Sequence, residues 1–443
     1  MRLVTLIRKF NNLARAEGIR VAISTFFQWI SQWLKRKFVC QDYNRMLDEY
    51  LADCRRRNGD APRGIAIKLI WWNLKTLVKQ HPAQKQKCQK MHNINGEDTS
   101  KSVRLAFVPE GAYGDHLIFA NWLQYFMERY QTPLICIDVY CASASIKSIF
   151  NYDIPNLTVV FEKIAPKPKD YDAIFSFNRF PEIRYFRHGK ISQLAPNLLH
   201  YIYQCESFMK ENLHYFEHKP LHDGWSAAAG IVSGIKRIQQ PDIYGLLGIT
   251  EEYKYQIKVQ EDEASYLAKL NLQPGEFITV HRGWDGAYPT NIKAWSLTSC
   301  GDLIHKLKIT FPEKKIVVFG SERHQAPDTS DADLDLIGET TLEQVKVLLK
   351  NAAVHIDNEG GMVHLRHAVH GGPSVVMFGP TSSEFFGYSE NKNIRSDICR
   401  QWCEWLTAEW PAKCAKTREV GPTPCMDGIY SSDVVVHIKE LLG

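Results

Sequence analysis

Residues 354–388 read VHIDNEGGMVHLRHAVHGGPSVVMFGPTSSEFFGY and carry the clearest structural signal in the chain. Two short apolar runs, Val354–Asp357 and Ser374–Phe378, are each followed by a glycine-containing turn and then by a helical pattern. Strands that alternate with helices in this way are typical of a parallel sheet covered by helices. The stretch therefore predicts part of a doubly wound α/β domain, whose ligands bind beyond the carboxyl ends of the strands.

The same alternation continues outward from this stretch. Three more strands are predicted in the same block, at Phe277–His281, Lys315–Phe319 and Leu334–Ile337. An earlier block has four predicted strands, at Val103–Val108, Leu134–Tyr140, Leu157–Phe161 and Ala173–Phe177, and residues 186–270 are predicted to be mainly a helical connection. Thr341-x-x-Gln344 and Thr381-x-x-Glu384 predict two capping boxes that start helices.

The sequence thus predicts an α/β protein with two Rossmann-like doubly wound domains that face a cleft, plus a helical N-terminal region. The predicted parts are a basic helical region and linker at 1–100, a first Rossmann-like acceptor domain with its helical connection at 101–270, and a second, nucleotide-sugar domain at 271–443. A length of 443 residues and 44% hydrophobic content suit two or three cores at roughly 150 residues per domain. A peptide hormone, a lone binding module and a disordered chain are excluded.

Positive charge is concentrated at one end of the chain. Residues 1–100 carry 19 Lys and Arg against 8 Asp and Glu, a net +11, so the remainder carries −6 of the total +5. A nucleic-acid partner is not expected from this distribution, whereas a basic amphipathic stripe with Phe26, Phe27 and Trp33 within residues 1–80 favours an anionic membrane surface. The alternative is that the stripe packs on the protein's own body. No signal peptide or membrane span is recognisable, which predicts a cytoplasmic protein, peripheral on the inner membrane face.

The turns of the opening stretch predict an anion site. Gly360 and Gly361 precede one helix and Gly379, Pro380 and Thr381 precede the next, so free backbone N–H groups of both helices can face a diphosphate. Glu359 can accept hydrogen bonds from sugar hydroxyls, and His364 lies in the first turn or so of its helix. The alternative is that Glu359 and His364 are ordinary capping or packing residues.

Together these residues resemble glycosyltransferase family 9, the ADP-heptose heptosyltransferases of lipopolysaccharide core assembly. The family's pattern is Asp-Ser/Thr-Gly-x-x-His-Leu-x-x-Ala and then a strand that ends in Phe-Gly-Pro-Thr. This chain has Glu359-Gly360-Gly361-Met362-Val363-His364-Leu365-Arg366-His367-Ala368 and then Phe378-Gly379-Pro380-Thr381, with Glu for Asp and Gly for Ser/Thr. The resemblance covers roughly residues 103–440, and it implies a GT-B fold and inversion at the anomeric carbon.

The resemblance extends to Gly114-Asp115, similar to the family's Gly-Asp turn after the first strand, and to Lys293-x-Trp295. It implies that Asp115 is the base that deprotonates the acceptor hydroxyl; helix capping is the alternative. Lys293 is predicted to neutralise the departing nucleotide diphosphate and to bind the donor together with His281 and Arg282. Nothing resembles the Asp-x-Asp metal site of other transferases, so no catalytic metal is expected.

Four cysteines form a separate cluster at 399–425. Cys399, Cys403, Cys414 and Cys425 lie within fewer than 30 residues, which favours a structural zinc or iron site over buried free thiols or a disulfide. A related cysteine finger that holds iron occurs in the family's branch that heptosylates autotransporter adhesins. This resemblance implies a protein acceptor as an alternative to a lipid acceptor.

Three functions follow from these observations. The leading hypothesis is an inverting glycosyltransferase that moves a sugar, heptose above all, from a nucleotide-diphosphate donor to a lipopolysaccharide or other surface-glycan acceptor. The first alternative is a protein O-heptosyltransferase of the same family. The second is a non-catalytic scaffold that keeps the GT-B fold.

Overall fold

The protein is described here from a computed structural model. The described residues are 101–141, 144–150, 156–160, 165–211, 235–282, 292–321, 326–399, 414, 417 and 423–443. The predicted N-terminal region at 1–100, with its amphipathic stripe, lies outside them, as does Cys403. Within these ranges, no helix combines the length and the apolar character that a bilayer crossing requires.

The first sheet has five strands in the order β3-β2-β1-β4-β5. Its strands are β1 (Val103–Pro109), β2 (Ile135–Tyr140), β3 (Leu157–Val160), β4 (Ala173–Phe177) and β5 (Pro181–Phe186). The first four are parallel, and β5 pairs with β4 in the antiparallel sense. The helices of this part are α1 (Tyr113–Tyr130), α2 (Ala144–Lys147), α3 (His188–Leu194) and α4 (Pro196–Glu211).

An aromatic cluster joins α1 to this sheet. Phe107 of β1 stacks on Phe175 of β4 with ring centroids 4.9 Å apart, and Trp122 and Phe126 of α1 pack edge-on against Phe107. All four side chains are at most 1% exposed. Buried aromatic rings contribute large apolar areas to a core, so this cluster fixes α1 against the β1–β4 pair.

The second sheet has six parallel strands in the order β11-β10-β9-β6-β7-β8. Its strands are β6 (Phe277–Val280), β7 (Lys315–Gly320), β8 (Leu334–Ile337), β9 (Val354–Asn358), β10 (Ser374–Phe378) and β11 (Lys392–Arg395). The helices are α5 (Glu263–Lys269), α6 (Leu297–Thr310), α7 (Leu342–Asn351), α8 (Gly361–Ala368), α9 (Ser383–Phe386), α10 (Pro424–Asp427) and α11 (Ser431–Leu442). This strand order is that of a doubly wound nucleotide-binding fold.

The fold class is therefore confirmed, with local differences. The sequence did not predict β5, because Pro181, Glu182 and Arg184 interrupt its apolar pattern. The Thr341 capping box is confirmed, since its hydroxyl accepts from the Gln344 N–H and the Gln344 side chain accepts from the Thr341 N–H. The Thr381 capping box is wrong by one residue.

Ser382 is the residue that caps α9, and its hydroxyl accepts from the Phe385 N–H at 3.2 Å. Thr381 is fully buried, and its hydroxyl has no partner among the described residues. Because Thr381 and Ser382 both carry a hydroxyl, the sequence allows either residue to cap the helix. Thr381 is buried in the structure, so Ser382 is the cap.

An extended segment, residues 253–260, connects the two sheets and is called the inter-sheet strap below. On one side, the N–H groups of Lys254 and Tyr255 both donate to the Asn121 side-chain oxygen of α1. On the other side, the Ile257 N–H donates to the Ala368 carbonyl at the end of α8. Because backbone donors of one short segment are divided between two sheets, the strap holds the sheets together.

Candidate functional site at the inter-domain contact

The candidate residues lie where each sheet reverses its strand order. In the first sheet the reversal is between β1 and β4, and Asp115 follows β1 while Arg179 follows β4. In the second sheet it is between β6 and β9, and His281 and Glu359 follow those strands. Ligands of doubly wound folds bind at such reversal points, so both halves present their polar side chains at the expected place.

The N-termini of α1 and α8 meet at this point through two glycines. A Cβ atom on Gly114 would lie 2.6 Å from the His364 ring, and one on Gly361 would lie 3.1 Å from the Tyr113 Cβ. Neither position has room for a side chain. The glycines therefore bring two helix N-termini together, one from each sheet, and such termini favour anions.

Asp115 is held by two arginines. Its Oδ1 accepts from Arg179 at 2.7 Å and from Arg237 at 2.9 Å, and its Oδ2 accepts from the Ala112 N–H at 3.0 Å. Burial alone would raise the pKa of Asp115, but the two guanidinium groups outweigh it and hold the pKa well below its usual range. Asp115 is also at position N3 of α1, where its side chain accepts from the N-cap N–H as in a capping box. The carboxylate is thus ionised and oriented, and it has the capping contact that was the alternative to a catalytic role.

Lys293 and Glu359, predicted independently from sequence, form an ion pair. Lys293 Nζ donates to Glu359 Oε2 at 2.8 Å and lies 5.8 Å from the centre of the Phe386 ring. The Glu359 carboxylate is nearly buried, while a quarter of the Lys293 side chain is exposed. A cation and a carboxylate in contact at the start of α8 can bind a diphosphate and a sugar hydroxyl side by side.

His364 lies between the two charged groups. Burial lowers the pKa of His364 to about 4, although the charges of Glu359 and Asp115 act in the opposite direction. Its Nδ1 lies 2.6 Å from the Tyr388 hydroxyl. A small recess, partly open to solvent, borders His364 and Arg237. The ring is therefore neutral near pH 7 and can only accept or donate a hydrogen bond there.

His281 has an acidic partner that the sequence did not predict. Its Nδ1 lies 2.9 Å from Oδ2 of Asp357, the penultimate residue of β9. Arg282 has a different partner from His281: its Nε donates to the Trp295 carbonyl at 2.8 Å. Gly379, in the predicted anion-binding turn 379–381, packs against Met426. A Cβ atom on Gly379 would lie 2.5 Å from the Met426 sulfur.

Three of the four predicted metal-ligand cysteines are described. Cys414 and Cys425 are buried and Cys399 is half-buried, and all three are free thiols. Burial raises the pKa of Cys425 to about 11, and the neighbouring Cys399 and Cys414 thiols raise it as well. No group of three metal ligands is formed within the described ranges, and Cys403 lies outside them.

The sequence comparison bears on the second half of the site. Residues 313–408 match the sequence model of glycosyltransferase family 9 (heptosyltransferase), and this span contains Glu359, Gly361 and His364. The match makes this segment similar to glycosyltransferases and supports glycosyl transfer as the activity class. No curated protein is similar enough in sequence to count as a match.

Three solved structures are similar to the chain at low identity. The first is ADP-heptose lipopolysaccharide heptosyltransferase II of E. coli, with 16% identity, a TM-score of 0.46, and coverage of 77% of this chain and 98% of that enzyme. A family 9 glycosyltransferase from Veillonella parvula has 14% identity, a TM-score of 0.46, and coverage of 77% and 97%. The dodecameric iron-containing heptosyltransferase TibC of E. coli, in complex with ADP-D-β-D-heptose, has 14% identity, a TM-score of 0.49, and coverage of 79% and 80%.

Two residues of the candidate site were not predicted from the sequence. Arg179 follows β4 by two residues, and its position beyond a strand end was a usable signal. Arg237 is 122 residues from Asp115 and lies in the connection predicted at 186–270, where no local pattern marks it as a site residue. Its guanidinium is only 4% exposed, which makes it an integral part of the contact.

Proposed function

We propose that this family 9 protein is an inverting glycosyltransferase that moves heptose from a nucleotide-diphosphate donor to a lipopolysaccharide or other surface-glycan acceptor. The observation that carries the proposal is that Asp115 of the first sheet and Glu359 of the Lys293–Glu359 pair in the second both lie near His364. His364 lies close enough to both that the charges of Asp115 and Glu359 act on its pKa. A base and a donor-binding pair on opposite sides of one contact are what transfer between two substrates requires.

In the proposed reaction the acceptor oxygen attacks the anomeric carbon while the bond from that carbon to the diphosphate oxygen breaks on the opposite face. The electron pair of the broken bond goes to the nucleoside diphosphate, and the hydroxyl proton goes to Asp115. Because the hydroxyl becomes acidic only as the new bond forms, a carboxylate with a low pKa suffices as a base late in the reaction. Attack from the opposite face inverts the configuration.

The second domain supplies the donor site in this proposal. Lys293 neutralises the charge that develops on the leaving diphosphate, and Gly360 and Gly361 present the N-terminus of α8 to it. Glu359 hydrogen-bonds to hydroxyls of the transferred sugar. Arg282 and the 379–381 turn are the remaining proposed donor contacts, although the Arg282 Nε donates to the Trp295 carbonyl in this structure.

The cysteine cluster is proposed to bind a structural zinc or iron ion. Support comes from the sequence spacing and from the proximity of Cys425 to Cys399 and to Cys414, both of which raise the pKa of Cys425. The described sulfurs do not themselves form a three-ligand group, and the proposal adds Cys403 as the fourth ligand. No step of transfer is routed through this ion.

The acceptor defines the alternative function. The cysteine cluster favours a protein acceptor, whereas the basic N-terminal region favours a glycolipid at an anionic membrane surface on the cytoplasmic side. Both acceptors are compatible with the same donor site, so the two functions differ only in the substrate that approaches Asp115.

A screen of the purified full chain tests the proposal. Thermal shift and donor hydrolysis are measured with ADP-heptose, UDP-sugars and GDP-sugars, and transfer is measured with lipopolysaccharide core and with adhesin acceptors. We expect one nucleotide class to raise the melting temperature and its sugar to be hydrolysed slowly, and NMR of the product to show an inverted anomeric centre. A chain that binds no nucleotide sugar is a scaffold, and the proposal fails.

A further inference from the structure

A buried carboxylate that no predicted role uses lies beneath the donor site. Asp357 in β9 is 1% exposed, and its Oδ1 accepts from the N–H of Asn358 at 2.7 Å. Its Oδ2 lies 2.9 Å from His281 Nδ1 and 3.5 Å from His355 Nε2. An ionised carboxylate in such a position is stable only with a positive charge or strong donors beside it.

The two histidines differ in their ability to provide that charge. His355 is fully buried, burial lowers its pKa, and its Nδ1 lies 3.0 Å from the Thr279 hydroxyl. The His281 side chain is 15% exposed and follows the carboxyl end of β6. Burial would raise the pKa of Asp357, but His281 and His355 lower it, so the acid stays ionised. His281 is therefore the histidine that can carry a proton beside Asp357 without full loss of hydration.

The ring of His281 is fixed in orientation as well as in charge. It stacks on Phe319 with centroids 5.2 Å apart and an interplanar angle of 16°, and Phe319 stacks in turn on His355. With Nδ1 bound to Asp357, Nε2 lies at the opposite edge of the ring, and no described residue forms a hydrogen bond with it. Since 15% of the side chain is exposed, we take Nε2 as the atom that can reach a ligand at the carboxyl end of β6.

We propose that Asp357 is a positioning residue that holds His281 through Nδ1–H, so that Nε2–H of the imidazolium is presented to the diphosphate of the nucleotide donor. The inference rests on the proposed function, because it takes the nucleotide diphosphate as the ligand. His281 thereby becomes a second hydrogen-bond donor, beside Lys293, to the leaving diphosphate. A carboxylate that binds one ring nitrogen of a histidine commonly fixes the orientation of the ring and determines which nitrogen is protonated.

Other charged and titratable groups around this pair must be considered in its pH dependence. His355 and Arg366 approach from the β9 and α8 side, Cys300 approaches from α6, and Arg282 follows His281 in the chain. Arg366 remains cationic near neutral pH, although burial lowers its pKa to about 9, and burial raises the pKa of Cys300 to about 12. Neither Arg366 nor Cys300 therefore changes its charge between pH 5 and 8.

The test compares the affinity of the full chain for ADP, UDP and GDP from pH 5.5 to 8.5 by calorimetry, in wild type, Asp357→Asn and His281→Gln. We expect wild-type affinity to fall as pH rises through imidazole deprotonation. In Asp357→Asn the midpoint of this fall moves to lower pH. Affinity at pH 7 then drops about tenfold for each pH unit by which the midpoint moves, down to the level of the neutral ring. His281→Gln removes the part of this pH dependence that exceeds the ionisation of the nucleotide's own terminal phosphate, while Asp357 stays in place.

Asp331→Asn is the matched control, because Asp331 forms an exposed ion pair with His305 in the same domain, 2.7 Å apart, and should leave the profile unchanged. The inference is overturned by an Asp357→Asn profile that coincides with wild type, or by a His281→Gln protein that keeps the wild-type pH dependence. If Asp357→Asn fails to fold, Asp357→Glu replaces it, because the longer acid keeps the charge but displaces the carboxylate from His281 Nδ1; a wild-type profile for this variant overturns the inference. A wild-type chain that binds none of the three nucleotides instead overturns the proposed function on which the inference rests.

Discussion

At the scale of single residues, Asp115 combines a structural contact with a proposed chemical one. The carboxylate closes the first turn of α1 and at the same time binds Arg179 and Arg237, which come from two other parts of the chain. Removal of its charge therefore leaves a nearly buried guanidinium without its acid, and any loss of activity must be separated from loss of stability.

We predict that Asp115→Asn lowers the turnover rate by about 10²–10⁴-fold and leaves donor affinity nearly unchanged, because only the base is removed. Single-turnover rate and donor affinity are measured on the same preparation. Asp172→Asn is the control: Asp172 also contacts two cations, Arg187 and Lys190, but lies at the opposite end of β4. Equal losses in both variants, or full activity of Asp115→Asn, would show that Asp115 is a cap.

Lys293→Ala should weaken donor binding and slow transfer together. The charge of Lys293 acts on the diphosphate in the ground state and more strongly in the transition state, so kcat/KM falls further than affinity does. The measurement is donor Kd beside single-turnover rate. Lys308→Ala is the control, because Lys308 forms an exposed pair with Asp333 in the same domain. A Lys293→Ala enzyme with wild-type donor affinity contradicts the assignment.

The sequence could predict site residues that follow the ends of strands, but not site residues that lie in irregular segments. Lys293 and Glu359 were predicted separately, and their 2.8 Å contact makes them one unit. Asp357 lies inside the quoted stretch, yet its pattern was that of a strand residue, because burial of a charge is visible only once His281 is placed beside it. Arg237 depends on a contact across 122 residues, which no local periodicity contains.

At the scale of elements, the site depends on how closely α1 and α8 approach. Gly114→Ala places a methyl group 2.6 Å from the His364 ring, and overpacking of this kind costs about 1–3 kcal/mol. We expect a lower melting temperature and a lower donor affinity. Gly189→Ala is the matched control: Gly189 is likewise the second residue of its helix, α3, and has open space around it. Similar melting temperatures for the two variants would refute the close contact.

The cysteine segment gives a second prediction at this scale. Purified protein should contain about one zinc or iron per chain, and Cys403→Ser or Cys414→Ser should lower metal content and melting temperature together, because metal binding is coupled to folding. Metal content is read by elemental analysis. Cys300→Ser serves as a control, since Cys300 is a buried free thiol of α6 remote in sequence from the segment. Metal-free wild type with unchanged stability excludes the site.

At the scale of the whole molecule, charge is divided between an N-terminal region of net +11 and a remainder of −6. If residues 1–80 bind anionic lipid, the full chain should cosediment with phosphatidylglycerol vesicles and be released by salt, because exposed charges are screened within a Debye length of about 8 Å at physiological ionic strength. Phosphatidylcholine vesicles are the control. Equal binding to both lipids would leave self-packing as the role of the stripe.

The inter-sheet strap also affects the order in which the molecule forms. Its N–H groups have acceptors on α1 and on α8, and each acceptor is in place only after its own sheet has folded. Docking of these eight residues is consequently a late event in refolding, whichever sheet folds first. The amide protons of Tyr255 and Ile257 then exchange with deuterium only when the strap leaves a sheet, so their exchange rates record separation of the two halves in the native protein.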